Sequence, residues 1–315
     1  LSLFGTHMTA FSILGASGFS FTNGIMTYGL MASSSALVVP VALFFIGTRL
    51  WALGKRNGFI TPVQMFRDRW ECNHTGTAIF VLQAVLLVPY IIIGVMGGGT
   101  TLEVISGGMV PYWMGGAVVA LVVMTYVSFG GMRGTAWANA FQTIVFMVLG
   151  IVAFYAIAMK LGGQPSFLEN LRVCSDAVSH EKITRIDMSK TKFLTYLLIP
   201  LSVGMFPHLF QHWLTAKSAR SFKLAIVAHP VFIMIVWVPC VLIGIWATTS
   251  LVPTKPPLPK ISGTDIINAN AVLPFLVKTQ TSAVLGGFLT AGILAAIMSS
   301  LDSQFLCLGT IFTGD

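Results

Sequence analysis

Charged residues are scarce in this chain: only 9% of its 315 residues are Asp, Glu, Lys or Arg. A soluble domain carries about a quarter of its residues as charged ones, because it has a water-facing surface to cover. Hydrophobic residues make up 55% of the chain, and the mean hydropathy is +0.85. This composition excludes a water-soluble globular protein and predicts an integral, multi-pass membrane protein.

Motifs of several other functional classes are also missing. The four cysteines form no CxxC pair, so neither a zinc site nor a disulfide framework is indicated. The net charge of +8 comes from short basic clusters between apolar runs, without the interleaved aromatic residues of a nucleic-acid groove. We therefore expect no nucleic-acid partner. The chain also has no HExxH motif and no TVGYG filter, which argues against a membrane-embedded protease and a potassium-type channel.

Long apolar runs are what the sequence does contain. A membrane-spanning helix needs about 20 mostly apolar residues. Seven runs meet this length and an eighth begins near residue 280, so we predict an all-α polytopic fold. The predicted spans are 2–23, 28–53, 76–98, 112–129, 136–160, 193–214 and 223–249.

Basic residues alternate between the loops and predict the orientation of the spans. Lys and Arg near helix ends are retained on the cytoplasmic side. The loops around residues 54–75, 130–135 and 215–222 carry them and are predicted to be cytoplasmic, whereas 24–27 and 99–111 carry none. The longer loops 161–192 and 250–279 are then external, and we expect the protein in the plasma (inner) membrane.

Two spans of opposite orientation contain interruptions. Gly15 to Gly18 (GASG) lie in the first span, and Gly204 and Pro207 lie in the sixth. Paired Gly or Pro interruptions in oppositely oriented halves point to a transporter's central site, because unwound backbone can bind ions and solute. The alternative is that the glycines only allow close helix packing.

The eighth run contains the polar stretch IMSSLDSQ (297–304). Asp302 is the only acidic residue deep in a predicted span, and a carboxylate at membrane depth costs at least about 2.5 kcal/mol. The hydroxyls of Ser299, Ser300 and Ser303 lie within one turn of it and would supply the oxygen ligands that hard cations prefer. Alternatively, Asp302 lies near the cytoplasmic helix end and meets water.

Four stretches together resemble a known family. SLFGTHMTAFSILG (2–15) and AAIMSSLDSQFLCLGTIFTGD (295–315) are similar to its first and eighth core helices, and ITPVQMFRDRW (60–70) and FGGMRGTAWANAFQTIV (129–145) to its cytoplasmic and fifth-helix motifs. The family is that of the sodium/solute symporters, which includes the sodium/glucose, sodium/proline and iodide and vitamin carriers.

This resemblance implies a leucine-transporter-type fold of two inverted five-helix repeats, with sodium driving uptake of a solute by alternating access. The first repeat would be 1–160, followed by an extracellular loop 161–192 and by the start of the second repeat at 193–315. On this reading the fold is incomplete at both ends, and we expect these 315 residues alone not to transport.

The resemblance also implies a set of cation ligands, with sodium as the coupling ion and no other cofactor. The core sodium site would use the backbone carbonyls of Leu3, Thr6 and Ala296 and the hydroxyls of Ser299 and Ser300. A second site in some members has an aspartate on the fifth helix, where this chain has Asn139. We expect Asp302 to replace that carboxylate from the facing helix, so that Asn139, Asp302 and Ser303 bind a second sodium ion or a proton. The alternative is that the chain keeps a single sodium site.

The expected solute is a small carboxylate, an amino acid or a vitamin-like acid. The positions that bind sugar hydroxyls in sugar-transporting members are Gly5, Ala10 and Gly29 here, so a sugar is not expected. A mostly apolar pocket is expected near Ala10, Phe11, Ser12, Gly15 and Gly204.

Several alternatives stay open from the sequence. The runner-up function is a proton-coupled symporter with Asp302 as the proton carrier, and a channel or receptor-like membrane protein is a further possibility. His208 and His212 lie one helical turn apart and suit a metal pair or proton relay, although packing is the commoner role of such pairs. His7 is a candidate for lining a cavity.

Overall fold

The apolar runs fold into helices over almost all of the chain. The computed structural model describes residues 1–184, 188–253, 258 and 267–314. The main helices of the described residues are α1 (Ser2–His7), α2 (Ala16–Asn23), α3 (Tyr28–Asn57), α4 (Pro62–Trp70), α5 (Asn73–Ser106), α6 (Tyr112–Gly162), α7 (Phe167–Asp176), α8 (His180–Ile183), α9 (Lys190–Met205), α10 (Pro207–Thr215), α11 (Arg220–Trp246), α12 (Val272–Gln280) and α13 (Ala283–Gly314).

Five of these helices are long and apolar enough to cross a membrane, and the bent pair of α9 and α10 makes a sixth span. The sequence predicts eight spans, including the one that begins near residue 280, and two features account for the difference from six. The 51 residues of α6 cover the fourth and fifth predicted spans, and Gly131 between them has non-helical dihedral angles (φ 53°, ψ −158°). The first predicted span is divided into two shorter helices.

The first span breaks at a different place from the one predicted. Met8 is extended (φ −80°, ψ 107°) and ends α1, whereas GASG lies within helical structure formed by a π-helical turn over Phe11–Gly15 and by α2. The expectation of a break at GASG is therefore wrong. A Cβ atom on Gly18 would lie 2.7 Å from the Ala269 backbone, so this glycine serves close packing, which was the alternative reading.

The sixth span breaks where the sequence predicts. Phe206 is extended (φ −66°, ψ 118°), Pro207 opens α10, and the axes of α9 and α10 meet at 52°. Proline favours the first turn of a helix and disfavours the α conformation of the residue before it. The sequence around Pro207 thus encodes this break locally.

The loops are more helical than predicted. The predicted cytoplasmic loop contains α4, which begins with a capping box between Thr61 and Gln64. The predicted external loop 161–192 contains α7 and α8, and most of the predicted loop 250–279 that is described belongs to α12 and the short turn before it.

Helix α13 lies at the centre of the packing. It contacts α6 and α5 along its length and also touches α1, α10 and α12. Large apolar side chains on the outer helices, such as Leu37, Phe129 and Val284, are exposed, as expected for surfaces that face lipid. Because other helices pack around α13, its polar stretch is enclosed by protein rather than by lipid.

Candidate cation site at the first-helix break

The hydroxyl of Ser299 connects the eighth-span helix to the broken first span. Ser299 Oγ lies 3.1 Å from the carbonyl oxygen of Gly5 on α1 and 2.9 Å from that of Ala296 on its own helix. Ser300 Oγ donates to the Ile297 carbonyl at 3.1 Å. Both serines are fully buried. Oxygen atoms from two helices therefore converge one turn before the break at Met8.

The predicted carbonyl ligands on α1 lie at neighbouring positions rather than at this contact. The carbonyl nearest to Ser299 belongs to Gly5, whereas Leu3 lies in the wall of a cavity. Thr6 is fully buried and contributes its hydroxyl to a second cluster of polar groups. The family resemblance implied Leu3 and Thr6, whereas the structure places the Gly5 carbonyl at the contact with Ser299.

The second cluster joins α1, α6, α10 and α13, and we call it the Asn139–Ser303 network. Asn139 Nδ2 donates to Thr6 Oγ1 and to Ser303 Oγ, both at 3.0 Å. The two hydroxyls are also 3.0 Å apart, and His212 Nε2 lies 3.2 Å from Ser303 Oγ. The structure thus brings the predicted residues Asn139 and Ser303 together across two helices.

Asp302 belongs to the same network and is fully buried. Its carboxylate accepts hydrogen bonds from Ser303 Oγ and from the Tyr126 hydroxyl, both at 3.1 Å. These partners are neutral, so they do not compensate a negative charge. A buried carboxylate is stable only when it is protonated or paired with a cation. The reading in which Asp302 simply meets water at the helix end does not agree with this burial.

One acceptor in the network lacks a donor. Asn139 Oδ1 is buried, and no described residue donates a hydrogen bond to it. Buried polar atoms are nearly always satisfied, so an orphaned oxygen beside a carboxylate and two hydroxyls fits a cation ligand. The donor set of the network therefore suits a small hard cation.

Sequence reasoning missed two members of the network. Tyr126 lies in an apolar stretch of α6 without a motif around it, and only the structure shows its contact with Asp302. His212 was considered only together with His208. The two histidines diverge in the structure, because His208 packs against Tyr90 with ring centroids 5.5 Å apart while His212 contacts Ser303. Within the described residues, no group of three His, Cys, Asp or Glu is arranged to hold a metal ion.

An aromatic cluster lines the sixth-span break. Tyr90 of α5 stacks on Phe206 with ring centroids 5.3 Å apart, and both rings contact His208. The cluster covers the extended residue of the break with side chains from a neighbouring helix. Its members were not among the predicted solute residues.

The residues predicted to bind solute do not share one pocket. Phe11 is 42% exposed and faces Trp237, whereas Ala10 and Ser12 are buried. A Cβ atom on Gly15 would collide with the ring of Phe11. Gly204 packs in a separate apolar cluster, against Trp213 and Ile46. The predicted residues of the first span and Gly204 of the sixth span therefore lie in different packing environments.

Comparisons with known proteins agree with the helical architecture. A solved structure of a Na+-coupled sialic acid symporter, in a substrate-bound outward-open state, matches 99% of this chain with a TM-score of 0.76 and 15% sequence identity. The chain covers 65% of the length of that symporter. The likeness confirms the expected all-α, leucine-transporter-type fold. The long apolar helices support an integral, multi-pass membrane protein.

The sequence itself matches a family description over its full extent. The match is to the sodium:solute symporter family and covers residues 1–315. It confirms the family resemblance that the four sequence stretches indicated. The chain belongs to the sodium:solute symporter family.

Proposed function

We propose that this chain carries the cation-binding core of a plasma-membrane (inner-membrane) transporter that couples sodium entry to the symport of a small organic solute. The contact of Ser299 with the Gly5 carbonyl is the observation that carries the proposal. It joins α13 to α1 beside a break, which is where unwound backbone can bind a coupling ion. Membership in a symporter family supports the same reading.

The core sodium ion would be held by carbonyl and hydroxyl oxygens from both helices. On α13 the proposed ligands are the Ala296 carbonyl and the hydroxyls of Ser299 and Ser300. On α1 the predicted ligands, Leu3 and Thr6, are three residues apart. A shift of two residues keeps this spacing and gives Gly5, the neighbour of Ser299, and Met8, whose extended backbone leaves the helical ladder. We propose Gly5 and Met8 as these ligands.

The Asn139–Ser303 network is the proposed second cation site. Asp302 supplies the negative charge, and Asn139 Oδ1 supplies an acceptor to which no described residue donates. The structure of the similar sialic acid symporter is described as revealing a novel Na+-site, so a further site has a precedent among similar folds. The response of an Asp302 variant to sodium and to pH decides whether the ion is sodium or a proton.

Sodium binding is coupled to solute transport because the proposed ligands come from helices of both repeats. The proposed ligands lie on α1, α6 and α13, within the predicted repeats 1–160 and 193–315. An ion bound between them stabilises one arrangement of the repeats over another, and a ligand shifts an equilibrium only by its differential affinity. Sodium binding would thus favour the state that accepts solute. Alternating access then requires movement at the breaks of the first and sixth spans.

The first experiment measures thermal unfolding of the purified full-length protein in sodium, potassium and choline chloride at equal ionic strength. A ligand that binds only the native state at ten times its Kd adds about 1.4 kcal/mol of stability. We expect a sodium-specific gain that Ser299→Ala abolishes. The matched control is Thr290→Ala, which removes a buried hydroxyl that donates to the Gly286 carbonyl of the same helix. A sodium gain that survives in Ser299→Ala would refute the core site.

The second experiment repeats the measurement with Asp302→Asn. Because this change removes an uncompensated buried charge, we expect stability without sodium to rise and the sodium-dependent gain to shrink. A proton-coupled transporter would instead show stabilisation on acidification that Asp302→Asn removes, with no sodium effect. An unchanged response to both sodium and pH would contradict any second site at Asp302.

A further inference from the structure

A cavity of about 350 Å³ lies between α1, α3, α10 and α11, beside the proposed sodium site. This volume lies within the range of small-molecule pockets, which is about 300 to 1,000 Å³. Phe4, Leu43 and Phe232 are among the apolar side chains of its wall, and Lys217 and Ser221 lie at the end that the basic turn marks as cytoplasmic. None of the residues predicted to bind solute lines it.

The titratable side chains of this cavity are three imidazoles and one ammonium group, and the hydroxyls of Ser2 and Ser221 also belong to its lining. His7, His212 and His229 line the wall, Lys217 is exposed at the mouth, and none of the described lining residues is Asp or Glu. Charged groups on α3 and α4, which also pack against α10, do not line the cavity. The lining therefore supplies hydrogen-bond donors and positive charge but no negative charge.

One of the imidazoles has an unused polar atom. His229 is 4% exposed, and no described residue forms a hydrogen bond with its Nε2. The His229 ring packs in T-shaped contacts against the rings of Phe4 and His7, with centroid distances of 5.6 and 5.2 Å. A buried polar atom without a partner is uncommon, so its position in a cavity wall points to a ligand atom that completes it.

We propose that this cavity binds the transported solute on the cytoplasmic side and that the solute is a small monocarboxylate with an apolar body. His229, in the tautomer with a proton on Nε2, donates to the carboxylate, and Lys217 attracts it to the mouth. The apolar walls bury the rest of the molecule. The inference rests on the proposed function, since it assigns the solute class of that transporter. It also places the solute in this cavity instead of near the predicted residues 10–15.

The test measures binding of hexanoate to the purified full-length protein in lipid nanodiscs by titration calorimetry, with hexanamide as the neutral analogue. We expect hexanoate to bind and hexanamide to bind more weakly, because the cavity offers donors and positive charge. His229→Phe keeps the ring against Phe4 but removes the donor, and we expect it to raise the Kd for hexanoate at least about tenfold. It should leave the Kd for hexanamide nearly unchanged.

Lys217→Met should have a smaller effect, about two- to threefold, because the ammonium group is exposed and screened by salt. The matched control is Lys223→Ala, which removes an exposed lysine of the same basic region that does not line the cavity. Should His229→Phe fail to fold, His229→Gln retains a donor of similar reach and is expected to retain part of the binding.

Equal binding of hexanoate and hexanamide, equal binding by His229→Phe and the native protein, or no binding of hexanoate would each overturn the inference. Sodium-dependent stability is measured on the same samples. If that stability persists while hexanoate fails to bind, only the solute assignment is wrong. If sodium has no effect, the proposed function fails independently.

Discussion

The two broken spans of this protein are made in different ways. At the sixth span, Pro207 opens the second helix and the preceding Phe206 is extended, so the local sequence accounts for the break. At the first span, neither Met8 nor Thr9 is Gly or Pro, yet Met8 is extended. What surrounds the first break is a set of side chains from α6 and α13.

Each break therefore obtains its stability from a different source. The first break lies beside Thr6 and Gly5, whose hydroxyl and carbonyl contact Ser303 and Ser299 of α13. These contacts span nearly the whole chain and would be replaced or supplemented by a bound cation. The sixth break depends on proline and on ring packing with Tyr90. Under the proposed function, cation binding would therefore control the first break much more than the sixth.

Removing the central hydroxyl of the network should have the largest effect. Ser303 Oγ contacts Thr6, Asn139, His212 and Asp302, so Ser303→Ala leaves several buried groups without a partner. We expect a loss of about 3 kcal/mol in the free energy of unfolding, at the upper end of the cost of an unsatisfied buried group. Thermal and denaturant unfolding of the full-length protein would measure it.

Hydrogen exchange would show whether this loss is local. Ser303→Ala should increase amide exchange around Met8 and leave the amides that follow Pro207 nearly unchanged. Thr290→Ala again serves as the comparison, and its expected loss is about 1 kcal/mol. Equal losses in the two variants, or equal exchange at both breaks, would mean that the network does not hold the first span.

Adding a methyl group beside each break sharpens the same comparison at a smaller magnitude. A Cβ atom on Gly5 would collide with Thr143 Oγ1 and lie 3.1 Å from the carbonyl oxygen of Asn139. Gly5→Ala should therefore cost about 2 kcal/mol. A Cβ atom on Gly204 would meet the edge of the Trp213 ring at 3.2 Å, which is a less severe contact than the one at Gly5. Gly204→Ala should cost less than about 1 kcal/mol.

A double variant tests the cause assigned to Gly5. Thr143→Ala removes the colliding hydroxyl, so the double variant Gly5→Ala with Thr143→Ala should lose less stability than the sum of the single changes. Additive losses would show that the backbone of Asn139, rather than the Thr143 side chain, sets the limit. Thermal unfolding of the four proteins completes the cycle.

The sequence predicted the fold well because its signals are local. Apolar runs of spanning length mark every membrane helix, and Pro207 marks the sixth break. The GASG stretch was misread because a glycine that loosens a helix and one that allows close packing look alike in sequence. Gly18 packs against Ala269, which lies far along the chain, and only the folded structure reveals this contact.

The candidate site was predictable only in part, for the same reason. Ser299, Asp302 and Ser303 stand out as polar residues in an apolar helix, so the sequence identifies them. Their partners do not stand out: Tyr126 and Gly5 resemble the residues around them, and their roles come from contacts between helices distant in sequence. The two-residue shift proposed for the α1 ligands rests on the contact of Ser299 with Gly5, which the sequence of α1 does not indicate.

Replacing the proline of the sixth break should have the smallest effect on stability and a clear effect on structure. Pro207→Ala removes the steric restriction on Phe206, so that this residue gains access to the α conformation and α9 can continue toward α10. The free energy of unfolding should fall by only about 0.5 kcal/mol, because alanine mainly adds freedom to the unfolded chain. Amide exchange should slow at residues 208 and 209, whereas the amides around Met8 should keep their native rate. Unchanged exchange at these residues would mean that the stacking of Tyr90 on Phe206 is sufficient to hold the bend. Tertiary contacts would then cause both breaks, and Pro207 would not be the cause of the sixth.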